Sequence, residues 1–141
     1  MTIQMILLPL FVEVILTIAL LLGMAAVRQS AFASGAVRLH DIALREPKWP
    51  QRATQVANSF SNQFELPVLF YVLTILSIIT RHADLLFVIL AWIFVLCRLG
   101  QAYVHVTSNV VRLRGGIYAV GAIALIIAWV IFIVRILLGL P

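Results

Sequence analysis

The sequence predicts an all-α membrane protein built as one bundle of four transmembrane helices. Of its 141 residues, 64% are hydrophobic and 11% charged, against about 45–50% and about 25% in soluble domains. Mean hydropathy is +1.14. The apolar residues also fall into four runs, at about residues 5–27, 52–80, 85–109 and 117–138, each long enough to cross about 30 Å of hydrocarbon. Charged or turn-forming segments separate the runs. Residues 1–141 therefore read as a single transmembrane domain.

The charge balance is basic, ten Lys and Arg against five Asp and Glu. The cations flank the apolar runs, where they orient spans and contact headgroups. Membrane lipids are the expected partners and nucleic acid is not. The single cysteine, Cys97, lies inside an apolar run; it allows no intrachain disulfide, and no metal cluster is expected.

The first run has no basic stretch ahead of it and is long enough to span. It is expected to stay as a membrane helix and not to be cleaved as a signal. Pro9 sits in its first turns, where it disturbs little. Glu13 and Thr17 are four residues apart and share a face turned to a neighbouring helix. The segment 28–51 is the one long loop, broken by Gly35, Pro47 and Pro50. Its alternation of Val37, Leu39, Ile42 and Leu44 with Arg38, His40, Asp41 and Arg45 suits a short helix on the membrane surface.

The second run starts polar and ends apolar. On a helix Gln55, Asn58, Asn62 and Glu65 form one stripe, and Pro67 is expected to kink the helix or loosen its hydrogen bonding just beyond Glu65. Residues 81–84 make a tight turn, so spans two and three are antiparallel neighbours. In the third run Arg98, Gln101, His105, Asn109 and Arg112 are placed on a second stripe. Arg112 and Arg114 are read as closing this span, with Gly115 and Gly116 as the break. In the fourth run Arg135 is near enough to the end to reach the headgroups.

Arg28, Arg38, Arg45, Lys48, Arg52, Arg112 and Arg114 lie on one side of this topology, and Arg81 and Arg135 on the other. The positive-inside rule puts the first group in the cytoplasm and both termini outside it. The two polar stripes then lie at the same depth and converge on one cytoplasm-facing pocket. Arg98 is deep and needs a partner, for which Glu65 is the expected carboxylate. His105 is a possible general base. Read without a ligand, the same network simply locks helix packing.

Four spans with a long first loop, Asn62-x-x-Glu65 followed by Pro67, and Arg98 ahead of Arg112-Leu113-Arg114 resemble the MAPEG family, the membrane-associated proteins of eicosanoid and glutathione metabolism. Val27-Arg28 with Ala31-Phe32-Ala33 resembles the family's end of span one. The resemblance covers nearly the whole chain. It implies a homotrimer of four-helix bundles that binds glutathione, as co-substrate, between subunits toward the cytoplasm. A lipophilic electrophile would arrive from the bilayer, in a transferase or peroxidase type of reaction.

By matched position, Asn62 and Glu65 would contact the tripeptide, Glu65 at its amine. Arg28, Arg98 and one of Arg112 or Arg114 would hold its carboxylates or sulfur; Asn58, Gln101 and His105, taken from the polar stripes and not from matched positions, are expected to bind it too. The thiolate-stabilising residue is assigned first to Arg114 and second to Arg98. Ser61 stands where eicosanoid-type members often carry arginine, and Gln101 and His105 differ from their usual histidine and tyrosine. The pattern is closer to bacterial-type members, which implies a multi-pass protein of the bacterial inner membrane. The alternative is a non-catalytic membrane protein whose pocket binds lipid headgroups or serves helix packing. A transporter ranks last, since no inverted repeat is visible.

Overall fold

The computed structural model describes residues 1–43 and 49–141, with the backbone alone at Asp41 and Ile42. The described residues are helical, and four helical stretches are long and apolar enough to cross a membrane: Ile3–Ala33, Gln51–Ile79, Leu85–Val106 and Val111–Leu138. These correspond to α1 (Ile3–Ala33), α2 (Gln51–Asn62) with α3 (Leu66–Ile79), α4 (Leu85–Val106) and α5 (Val111–Leu138). Helix α4 is central and packs on α5, α1 and α2. In the loop after α1 the described part holds one 3-10 turn, Leu39–Ile42. Leu44, Arg45, Glu46, Pro47 and Lys48 lie outside the described residues, and with them the end of the expected surface helix and two of its cations.

Thr2 caps α1, its Oγ1 accepting from Met5 N, and the helix passes through Pro9 unbroken. It continues to Ala33, past the expected end near residue 27, so Arg28 is on a helix and not in a loop. Span two is interrupted. Pro67 has no N–H to offer the carbonyl of Gln63, and its ring crowds that carbonyl. Helix α2 accordingly ends at Asn62 and α3 begins at Leu66, with Gln63–Glu65 joined by tighter i to i+3 bonds. The expected kink is a full break.

The boundary between spans three and four lies elsewhere than the sequence suggested. Helix α4 ends at Val106 and α5 starts at Val111. Arg112, Arg114, Gly115 and Gly116 are all inside α5, so Arg112 does not share a helical face with Arg98. The turn is made by Asn109, whose φ is 51°. Gly115 and Gly116 face open space, and membrane helices tolerate glycine.

The apolar core includes Phe70, Leu73, Phe87, Val88, Phe94, Val95 and Leu125, with Ile6, Ala91 and Ala128 beside them. Large apolar residues such as Leu22, Ile126 and Leu137 point outward, as suits a chain whose solvent is lipid. Small residues let the helices approach. The tightest case is Gly121, where a Cβ would lie 3.0 Å from Cys97 Cβ. Gly121→Ala is expected to force α4 and α5 apart and lower stability by about 1–3 kcal/mol, read as a lower melting temperature in detergent. Cys97→Ala should not rescue it, because the clash is with the Cβ.

At the end of the bundle away from Arg28, Asp84 caps α4 by accepting from Phe87 N at 3.0 Å and takes Arg135 Nη1 at 2.7 Å. Burial works to raise the Asp84 carboxyl, but the Phe87 amide and the Arg135 guanidinium outweigh it and hold the group below its ordinary value. The folded state therefore releases this proton more readily than the unfolded chain does. The resulting stabilisation is complete at neutral pH and is lost as pH falls below about 4. The carboxylate is well exposed, which limits the effect to under about 1 kcal/mol. Asp84→Asn keeps a good cap, and its melting temperature is expected to fall less than wild type between neutral and acid pH.

Candidate functional site

The broken span and the relocated turn build one cavity. It measures about 480 Å³ and is lined by Asn58, Ser61, Asn62, Glu65, Gln101, His105, Arg114, Gly115 and Tyr118. Helix α2 is amphipathic: Ala53, Val56 and Ser59 are buried, and the opposite side carries Asn58 and Ser61. Glu65 sits in the break ahead of α3. Gln101 and His105 are buried, one turn apart on α4. Helix α5 turns back over them and brings Arg114 and Tyr118, also one turn apart. The cavity is open on one side, where Asn58, Ser61, Glu65 and Tyr118 are exposed.

Asn58, Asn62, Glu65, Gln101, His105 and Arg114, singled out in the sequence, thus meet around one space. Arg28, Arg98 and Arg112 do not line it. Arg28 lies over the Trp49 ring, 5.0 Å from its centroid. Arg112 is exposed on the first turn of α5. Arg98 is 3% exposed and lies behind the wall. Its Nη1 donates to Gln101 Oε1 at 2.7 Å and its Nη2 to Asn62 O at 2.9 Å. That carbonyl ends α2 and also accepts from Glu65 N at 3.3 Å, so Arg98 adds a second donor at the break and fixes the Gln101 side chain at once.

The expected pairing of Arg98 with Glu65 is not the one found, since Glu65 is exposed and makes no hydrogen bond with it. The strongest opposite charge acting on Arg98 comes from Glu13 of α1, ahead of Glu65. Glu13 is fully buried and both its carboxylate oxygens lack a hydrogen bond. Ser61, Gly115 and Tyr118 were missed by the sequence reading. Ser61 follows Asn58 by three residues and was legible on the α2 stripe. Tyr118 follows Arg114 by four, a relation visible only once α5 is known to begin at Val111.

Three features give the cavity its chemistry. Arg114 carries a cation in the first helical turn of α5, where the helix itself disfavours one. An anion placed there meets the Arg114 cation and the positive end of the helix. Glu65 offers a carboxylate across the cavity to a cationic group. His105 presents a ring whose Nδ1 is buried without a partner. Arg52 of α2 donates to Val106 O at the end of α4, tying the two walls together. The family model of the MAPEG family matches residues 6–134. No curated protein and no solved structure matches the chain.

Proposed function

The chain belongs to the MAPEG family, and from that premise we propose that it is a glutathione-dependent membrane enzyme of the transferase or peroxidase type, acting on lipophilic electrophiles. The observation that carries the reading is the cavity, in which Arg114 and Glu65 line one space of about 480 Å³. That size is within the range of about 300–1,000 Å³ usual for small-ligand pockets. Glutathione has two carboxylates, an ammonium and a thiol. The carboxylate of Glu65 suits the ammonium, the amides of Asn58, Asn62 and Gln101 suit the peptide groups, and the cation of Arg114 suits a carboxylate or the sulfur.

Arg114 is the residue proposed to stabilise the thiolate. A free thiol ionises near pH 8.5, and a neighbouring cation lowers that value and creates the nucleophile at neutral pH. In conjugation the sulfur then bonds to the electrophilic carbon, and the leaving group departs with its electron pair. The open side of the cavity supports an oligomer, and a homotrimer is the form proposed. Polar side chains on a membrane-spanning face are costly in lipid, and a neighbouring copy would cover them. The basic end of the bundle is proposed to face the cytoplasm of a bacterial inner membrane, with both termini outside.

Calorimetry of glutathione with the purified protein in mild detergent, beside Glu65→Ala, tests this. Binding by wild type that the variant loses supports it. A well-folded oligomer that binds no glutathione sinks it. The second reading, a polar pocket for lipid headgroups, is favoured by the same open side, and predicts an oligomer whose stability follows added phospholipid and ignores thiols.

A further inference from the structure

Asn109 makes the turn between α4 and α5 with φ 51°, a left-handed conformation that most side chains enter at a cost and asparagine more readily. Its N–H bonds Val104 O at 2.7 Å and closes α4. Its side-chain Oδ1 accepts from Arg114 Nη1 at 2.9 Å. One residue thus ends a helix and grips a guanidinium carried by the next. Asn109 itself does not line the cavity, whereas Arg114 does. The turn alone does not call for asparagine, since glycine takes positive φ at least as readily. What asparagine adds is the acceptor.

A free arginine side chain spreads over many rotamers, and only some direct it at a given point. The bond from Nη1 removes most of that freedom. The other guanidinium nitrogens of Arg114 make no hydrogen bond among the described residues, so they stay available to an anion. The carbonyl of Asn109 carries no charge, so the grip leaves the cation undiminished, as an aspartate in its place would not.

We propose that Asn109 is a positioning residue, whose side chain holds Arg114 so that the unbonded part of its guanidinium is preset for an anionic sulfur or carboxylate in the cavity. This rests on the reading of the cavity as a glutathione site, and the test separates the two. Asn109→Gly keeps the turn and removes the acceptor; Asn109→Asp keeps both turn and acceptor. Each is compared with wild type in detergent for glutathione affinity, for the pH at which bound thiol ionises, read by thiolate ultraviolet absorbance, and for the rate at which phenylglyoxal labels Arg114, read by mass spectrometry.

The glycine variant is expected to assemble and melt like wild type. Its glutathione Kd rises roughly tenfold, in line with one lost hydrogen bond to a charged group. Its bound thiol ionises at higher pH, and Arg114 is labelled faster. Asn109→Asp returns the labelling rate to that of wild type. Should the glycine variant fail to assemble, Asn109→Ala removes the same acceptor and is expected to give the same shifts. A glycine or alanine variant that matches wild type in affinity, thiol ionisation and labelling overturns the proposal and leaves Asn109 a turn former. Faster labelling of Arg114 in a protein whose wild type binds no glutathione sinks the thiol reading and leaves the positioning intact.

Discussion

Arg114→Ala is expected to lower turnover with glutathione by about 10²–10³-fold, the loss seen when one preorganised donor to a developing anion is removed. Part of this follows from ionisation alone. A thiol ionising near pH 8.5 is only about 3% thiolate at pH 7, so without the guanidinium most bound glutathione stays protonated. The rate of the variant should climb with pH through that value, while wild type stays flat above neutrality. Arg114→Lys keeps a charge but not the fork and should fall between. Glu65→Ala touches the other end of the ligand, so its loss should appear mainly as weaker glutathione binding, with the pH profile unchanged. A variant without Arg114 that keeps both rate and pH profile would remove it from the chemistry and pass the role to another cation.

Arg98→Leu is expected to be strongly destabilising, by about 2–4 kcal/mol, since it takes the buried donor from Gln101 Oε1 and Asn62 O. Glu13 is fully buried on α1, and its loss leaves Arg98 without the strongest opposite charge acting on it. Glu13→Leu should cost less, because neither of its carboxylate oxygens makes a hydrogen bond that the change would remove. The double variant is the decisive one. If the two side chains compensate each other, it should lose clearly less than the sum of the singles, measured by unfolding in detergent. Simple additivity would show that they act independently.

Much of the fold was legible because the bilayer leaves few options. Four long apolar runs must be four helices, since no other lone segment satisfies its backbone in lipid. The stripe of Asn58, Asn62 and Glu65 and that of Gln101 and His105 follow from helical spacing, and the structure brings them to one cavity. What was not legible turned on competing local signals. Gly115-Gly116 reads as a break, yet the chain turns at Asn109, because asparagine can adopt positive φ and the two glycines have open space beside them. That shift of a few residues moved Arg112 and Arg114 from the end of one helix to the start of the next, and hid Tyr118. The partner of Arg98 was misread for another reason. Depth along a span can be counted from sequence, but which of several helices turns a carboxylate toward an arginine cannot.

The interruption of span two also bears on how the protein enters its membrane. Fourteen residues of α3 at 1.5 Å each extend about 21 Å, short of about 30 Å of hydrocarbon. The twelve residues of α2 that complete the crossing are largely polar, and span two has the lowest mean hydropathy of the four, 1.5. During synthesis this is the segment least able to partition into lipid alone. Its insertion is expected to wait for α1 beside it and for α4, whose Arg98 seals the carbonyl at the break. Biogenesis of the bundle would then be cooperative at the same point where the cavity forms.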